Sequence, residues 1–155
     1  MNLGASLALM GCVALLGGCE VSDLDLEPLS LEQAVDLQKQ TSHDPRAALF
    51  IDPRDALAFE LGHIPGAANL TLVRFDGEQG KNPGIAQFNE LVVYGANPGD
   101  PSVPAVGKRL IAIGYPRVRV FPGGLSAWSE SGLPTETGAG RTLPSPELPR
   151  RGSAR

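Results

Sequence analysis

Hydrophobic residues fall along this chain in two alternating patterns, short unbroken runs bounded by turn residues and longer stretches at helical spacing. The short runs Ala47 to Asp52 (AALFID), Leu91 to Tyr94 and Val118 to Phe121 suit buried strands, and Ala68 to Leu70 suits a shorter one. Between them, Ser30 and Gln33 make a capping box ahead of Leu31, Ala34, Val35 and Leu37, which predicts a helix to about Gln40 followed by a polar turn to Arg46. Asp55 caps a brief helix carrying Phe59 and stopped by Gly62, and Pro83 to Glu90 allows one or two helical turns. Ser102 is expected to cap a longer helix with Val103, Val106, Leu110 and Ile113 on one face, ended by Gly114. Gly123 and Gly124 turn the chain into a last short helix with Leu125 and Trp128 facing inward. Strands alternating with helices predict a small α/β domain with a mainly parallel sheet.

In such a sheet, the loop between a central strand and the next helix gathers anions and catalytic groups, because first-turn N–H groups point into it. Here that loop is Gly95-Ala96-Asn97-Pro98-Gly99-Asp100-Pro101-Ser102, which makes Gly95, Ala96, Asn97, Gly99, Asp100 and Ser102 the candidate ligand residues. It holds no Cys, His or Lys, and its two prolines remove donors that an anion cradle would use. The loop is shaped for a site but carries no obvious nucleophile.

Composition narrows the classes. The 155 residues are 42% hydrophobic and 19% charged with a net charge of -4, which suits one globular domain and, with no Lys/Arg run, argues against nucleic acid. Both cysteines, Cys12 and Cys19, lie near the start, in an apolar run from Leu3 to Leu16 too short to span a bilayer. It reads as a signal peptide, and Leu16-Gly17-Gly18-Cys19 resembles a bacterial lipobox whose Cys19 becomes the lipidated first residue. The expected organisation is a signal peptide over 1–18, an acidic tether over 19–28, a domain over 29–135 and a disordered Pro/Arg-rich tail over 136–155. That places the protein in a bacterial cell envelope, lipid-anchored to membrane and facing the periplasm or exterior.

Three blocks in order and in register resemble the rhodanese-like domain family. They are IDPRDALAFELGHIPGAANL, with a strand-end Asp-x-Arg and a GHIPGA turn; LVVYGANPGDPS, an apolar strand entering the loop; and GYPRVRVFPGGLSAW followed by Gly132 and Pro134. The resemblance covers Leu29 to Pro134 and implies a five-stranded parallel sheet flanked by helices. It also implies sulfur transfer through a persulfide on the loop Cys, but Gly95 stands at that Cys position. The loop reaches Ser102 one residue later than the common sulfurtransferase pattern, with Asp100 and Pro101 where Arg is often found. Asp52 and Arg54 match the family's strand-end pair and His63 its turn histidine.

Sulfur transfer needs a thiolate as both nucleophile and carrier, and glycine offers none. Asp52 and Arg54 read as an ion pair bracing the loop rather than as ligand contacts. His43 and His63 stand without partners at ligand spacing, so no metal and no cofactor is expected. Ser102 reads as a cap, Ser126 lacks the nucleophile-elbow pattern, and a P-loop around Gly107-Lys108 fails at Ser102 and Arg109. The expectation is a membrane-tethered, non-catalytic domain that binds a protein partner or small anion at Gly95 to Ser102. The alternatives are a degenerate sulfurtransferase or phosphatase-like enzyme using a non-Cys group or a partner thiol, and a structural envelope lipoprotein.

Overall fold

The computed structural model describes residues 21–75 and 80–143. The expected signal peptide, Cys12 and Cys19 lie outside the described residues, as do the last twelve residues of the expected tail. Five strands form one parallel sheet in the order β1-β5-β4-β2-β3: β1 (Glu27–Pro28), β2 (Leu49–Asp52), β3 (Ala68–Asn69), β4 (Leu91–Tyr94) and β5 (Val118–Phe121). Parallel neighbours require crossovers, and helices α1 (Leu31–His43), α2 (Ala56–Leu61), α3 (Pro83–Ala86) and α4 (Ser102–Ile113) lie in them, with α5 (Gly124–Glu130) following β5.

Both faces of the sheet are covered, so its central strands are apolar without alternation. Leu49, Ile51, Leu91, Val93, Val118 and Val120 point to one side, where Val103, Val106 and Leu110 of α4 pack on them. Phe50, Val92, Tyr94 and Phe121 point to the other, against Ala34 of α1, Phe59 of α2 and Trp128 of α5. The capping box at Ser30 and Gln33 forms as read, but α1 continues past Gln40 to His43 and stops only at Asp44, whose following Pro45 disfavours helical backbone.

Two stretches depart from the expected boundaries. The acidic tether is not all tether. Glu27 and Pro28 pair with Arg119 and Val120 of β5, and Leu29 donates its N–H to the Val120 carbonyl, so the chain is already an edge strand there. At the other end, residues 136–143 are docked rather than loose. Glu136 forms an antiparallel bridge with His63, Gly138 donates to the Glu60 carbonyl and Arg141 to that of Ala67. These backbone bonds, with Glu136 accepting the Gly66 N–H, Arg141 lying over the Phe88 ring and Leu143 against the core, hold the strap without any apolar periodicity, which is why its sequence misled.

Candidate functional loop at the end of β4

Gly95 ends the buried strand and the chain leaves the sheet toward α4. Ser102 does not cap that helix: Pro101 is the N-cap residue, and the capping carboxylate belongs to Asp100, one residue earlier. Asp100 Oδ1 accepts the Ser102 N–H at 3.0 Å and the Ser102 hydroxyl at 2.6 Å, while Oδ2 reaches back to the Ala96 N–H at 2.9 Å. A carboxylate is the natural acceptor at a helix N-terminus, where the dipole favours negative charge. Partial burial would push its pKa up, but the bonds from Ser102 and Ala96, with the Arg54 charge adding, outweigh it and hold the carboxyl below its ordinary value. The loop therefore closes on its own anion.

This closure uses the space beside Gly95. A Cβ built on Gly95 would lie 2.6 Å from Asp100 Cγ and 2.7 Å from its Cβ, closer than real side chains approach. From the opposite side, Leu125 and Ser126 at the start of α5 donate their N–H groups to the Gly95 and Ala96 carbonyls, both at 2.9 Å. That approach needs a glycine at position 124, since φ is +62° and a Cβ there would stand 2.8 Å from the Gly95 oxygen. Asn97, Pro98 and Gly99 form the exposed crest. Beside it lies a mainly apolar cleft of about 190 Å³ lined by Leu26, Pro101, Val103, Pro104, Val120 and Pro122.

The neighbouring strand end is built differently. Asp52 is fully buried and Arg54 grips it from Nε and Nη2, the shortest bond being 2.7 Å. Nη2 also donates to the Gly62 carbonyl at 2.7 Å, tying β2 to the turn after α2. Burial alone would lower the Arg54 pKa, but the bonds and charge of Asp52, with Tyr94 and Asp100 adding, raise it. Tyr94, buried and close to Asp52, has its phenol pushed far above the ordinary range, and the hydroxyl accepts the Ile64 N–H at 3.0 Å.

The profile of the Rhodanese-like domain family matches residues 31–131. The chain belongs to that family. A curated protein of Synechococcus elongatus, named as a candidate thiosulfate sulfurtransferase, is 29% identical over 125 residues covering 66% of this chain and 38% of its own length. The chain thus spans well under half of that relative. Among solved structures, a protein of unknown function from Rhodopseudomonas palustris, described as a possible tyrosine phosphatase, matches with a TM-score of 0.57 at 24% identity over 73% of this chain and 86% of its own. An Anabaena protein matches at 0.52 and 28% identity over 67% and 79%, and a thiosulfate sulfurtransferase of Pseudomonas aeruginosa at 0.54 and 19% identity over 79% and 22%. These structures share the fold.

Within this rhodanese-like domain, the candidate loop residues Gly95, Ala96, Asn97, Gly99, Asp100 and Ser102 come together at the C-terminal end of β4, and the pair Asp52 and Arg54 stands beside them at the end of β2. His63 is elsewhere, buried beneath the strap, and His43 lies at the end of α1. Among the described residues no group of three or more His, Cys, Asp or Glu side chains could hold a metal ion. Sequence reasoning missed the α5 N–H clamp and the Tyr94 hydroxyl, and it assigned to Ser102 the capping that Asp100 performs. A signal for the last was present, since Asp followed by Pro-Ser is an Asx-turn pattern. A cleft of about 550 Å³ opens at the opposite, N-terminal end of β4 and β5, near Glu90 and Arg119.

Proposed function

We propose that this rhodanese-like domain is non-catalytic and binds a protein partner through the Gly95–Ser102 loop and the apolar cleft beside it. The single observation that carries the reading is the Asp100 carboxylate, which lies where a side chain at position 95 would project and takes up the Ala96 and Ser102 donors. A thiol nucleophile would need that space, and a small anion would need those donors and would meet a carboxylate held ionised. What the loop still offers is surface: an exposed crest at Asn97, Pro98 and Gly99 beside an apolar cleft, the combination of polar rim and apolar pocket that suits protein recognition. We further propose that Cys19 carries a lipid anchor that holds the domain at the bacterial cell envelope, as the lipobox-like Leu16 to Cys19 suggests. No helix among the described residues is long and apolar enough to cross a membrane.

The test is a crosslinking and co-purification experiment from membranes, comparing the wild type with Asn97→Arg. Asn97 is exposed and its side chain makes none of the bonds that hold the loop, so the added bulk should remove the partner without unfolding the domain. Equal recovery of every partner by both proteins would overturn the loop as binding surface. Sulfur transfer from thiosulfate to cyanide by the wild type would overturn the non-catalytic half. Cys19→Ala should leave the membrane fraction, and unchanged fractionation would remove the anchor.

A further inference from the structure

Among the described residues five large apolar side chains are well exposed, and they fall into two groups on opposite sides of the sheet. Leu57 and Leu61 lie on α2. Leu24, Leu72 and Val73 belong to two 3-10 turns, Asp23–Asp25 and Leu72–Phe75, and both turns pack against α4 on the other side. They flank that helix. Leu26, just past the first turn, has its Cδ2 2.8 Å from where a Gly107 Cβ would be, and Arg109 Nη2 donates to the Phe75 carbonyl of the second at 2.9 Å. Positions two apart point to nearly opposite flanks of a helix, so Lys108 between them lies on the outer side, where it pairs with Asp23 at 2.8 Å. Turn, helix and turn therefore make one face, with Leu24 96% and Val73 75% exposed at its two margins.

The charges separate in the same way. α4 carries Lys108 and Arg109 and no carboxylate, the Leu72–Phe75 turn carries Arg74 and none, and the exposed Lys81 and Arg117 stand by the C-terminal end of α4. The first turn supplies Asp23 and Asp25, and both are engaged, Asp23 with Lys108 and Asp25 with the Ser22 N–H at 2.7 Å. Asp76 and Glu78 follow the second turn in sequence, outside the described residues. On the opposite side, α1, α2 and α5 present Glu32, Asp36, Glu60 and Glu130, with Lys39 as the one Lys or Arg of those three helices. An anionic bilayer attracts exposed apolar residues set among Lys and Arg, and it repels a face of carboxylates.

We propose that the face made by Leu24, Leu72, Val73 and the outer side of α4 lies on the bilayer to which the chain is tethered, with Arg74, Lys81 and Arg117 against anionic lipid headgroups. The inference rests on the reading that the domain is held at a membrane from its N-terminal side, and it adds an orientation to that reading. The place where the chain enters argues for this occupant. Cys19 precedes Leu24 by five residues, which span at most about 18 Å when fully extended, so an anchor there keeps the first turn close to the lipid surface. The competing apolar pair, Leu57 and Leu61, sits on a helix capped by Asp55 that carries Glu60 and no Lys or Arg, so it offers apolar area without the matching charge. The candidate loop ends where α4 begins, at Ser102, so this orientation brings the loop's partner to the level of the headgroups.

The test uses the full-length protein isolated from bacterial membranes and reconstituted into vesicles of phosphatidylglycerol and brominated phosphatidylcholine. Bromine quenches a nearby tryptophan, and the native Trp128, 1% exposed, adds the same background to every variant. Val73→Trp and Leu57→Trp put the reporter at comparably exposed positions on opposite sides of the sheet. Quenching should be about threefold or more stronger at position 73, and that excess should fall by about half when neutral lipid replaces the phosphatidylglycerol. Equal quenching at the two positions, or stronger quenching at position 57, overturns the proposal, as does a protein that leaves the vesicles. An excess indifferent to lipid charge overturns the headgroup contact. Should either variant fail to fold, acetylation of the wild-type lysines decides: vesicles should slow Lys81 and Lys108 about threefold relative to Lys39, and equal slowing rejects the face. Mass spectrometry of Cys19 reads the anchor separately. A chain without acyl groups there ends the lipid-anchor reading, while the reporters still decide the orientation of whatever chain floats with the vesicles.

Discussion

The ends of β2 and β4 are neighbours in the sheet, and each is finished by an aspartate, yet the two carboxylates are satisfied in opposite ways. Asp52 is buried and held by a cation, Arg54, in a fork of bonds between side chains. Asp100 is only partly buried and is held by two backbone N–H groups and a hydroxyl, with Arg54 contributing charge from a distance. The first arrangement braces the framework. The second fills the loop that the framework would otherwise present. Gly95 and Asp100 are thus one adaptation, because the carboxylate occupies its place only while position 95 lacks a side chain.

The largest effect should come from breaking the β2 end. Arg54→Ala leaves Asp52 buried without its cation and frees the Gly62 carbonyl, a loss expected to cost about 3 kcal/mol in urea unfolding. A cost below about 1 kcal/mol would show that water reaches Asp52 and that the pair is no brace. Next comes the clamp from α5. Gly124→Ala forces a methyl toward the Gly95 oxygen at a positive φ, and about 2 kcal/mol should be lost, with the change in amide shifts centred on Gly95, Ala96 and Asn97.

Gly95→Cys addresses the pairing of glycine and carboxylate. The thiol would overlap Asp100, so the variant should lose about 1 to 2 kcal/mol and stay silent in sulfur transfer from thiosulfate to cyanide. With Asp100→Gly in the background, which removes the carboxyl and the Cβ alike, the overlap is gone, and the cost of the cysteine should shrink by about 1 kcal/mol in a double-mutant cycle. Additive costs would mean that Asp100 swings aside at little expense and that the loop is not closed by it.

What could be read from the residues tracked how each element is stabilised. The strands Leu49 to Asp52, Leu91 to Tyr94 and Val118 to Phe121 announce themselves because both faces are covered and every position but Asp52 and Arg119 is apolar. The pair Asp52 and Arg54 is named by the resemblance, which matches the two to a strand-end pair, and their side chains do join there. Glu27 and Pro28 were not readable as a strand, since an edge strand of two exposed residues is defined only by its partner. The strap was invisible for a related reason, as backbone bonds and isolated contacts from Glu136, Arg141 and Leu143 hold it rather than a periodic apolar face. Within the loop the residues were found but their arrangement was not. The Asp100 bond to Ala96 runs backward along the chain, and periodicity holds no trace of it.

The smallest predicted effect isolates that bond set. Asp100→Ala leaves the Ala96 and Ser102 N–H groups to water at an exposed loop, so the cost at neutral pH should be that of a lost helix cap, about 1 kcal/mol. Its pH dependence separates it from Arg54→Ala. The Asp100 carboxyl is held below its ordinary value in the folded protein, so its contribution is present above the unfolded value of about 3.9 and is lost as pH falls through the folded one. The gap between wild type and Asp100→Ala should therefore be constant from neutral pH down to about 5 and close in stronger acid. Urea titrations across that range give the comparison directly. A gap that widened toward acid would mean that the protonated carboxyl binds the loop better than the carboxylate does, and the Ala96 and Ser102 donors would then have to be satisfied by something other than the Asp100 charge.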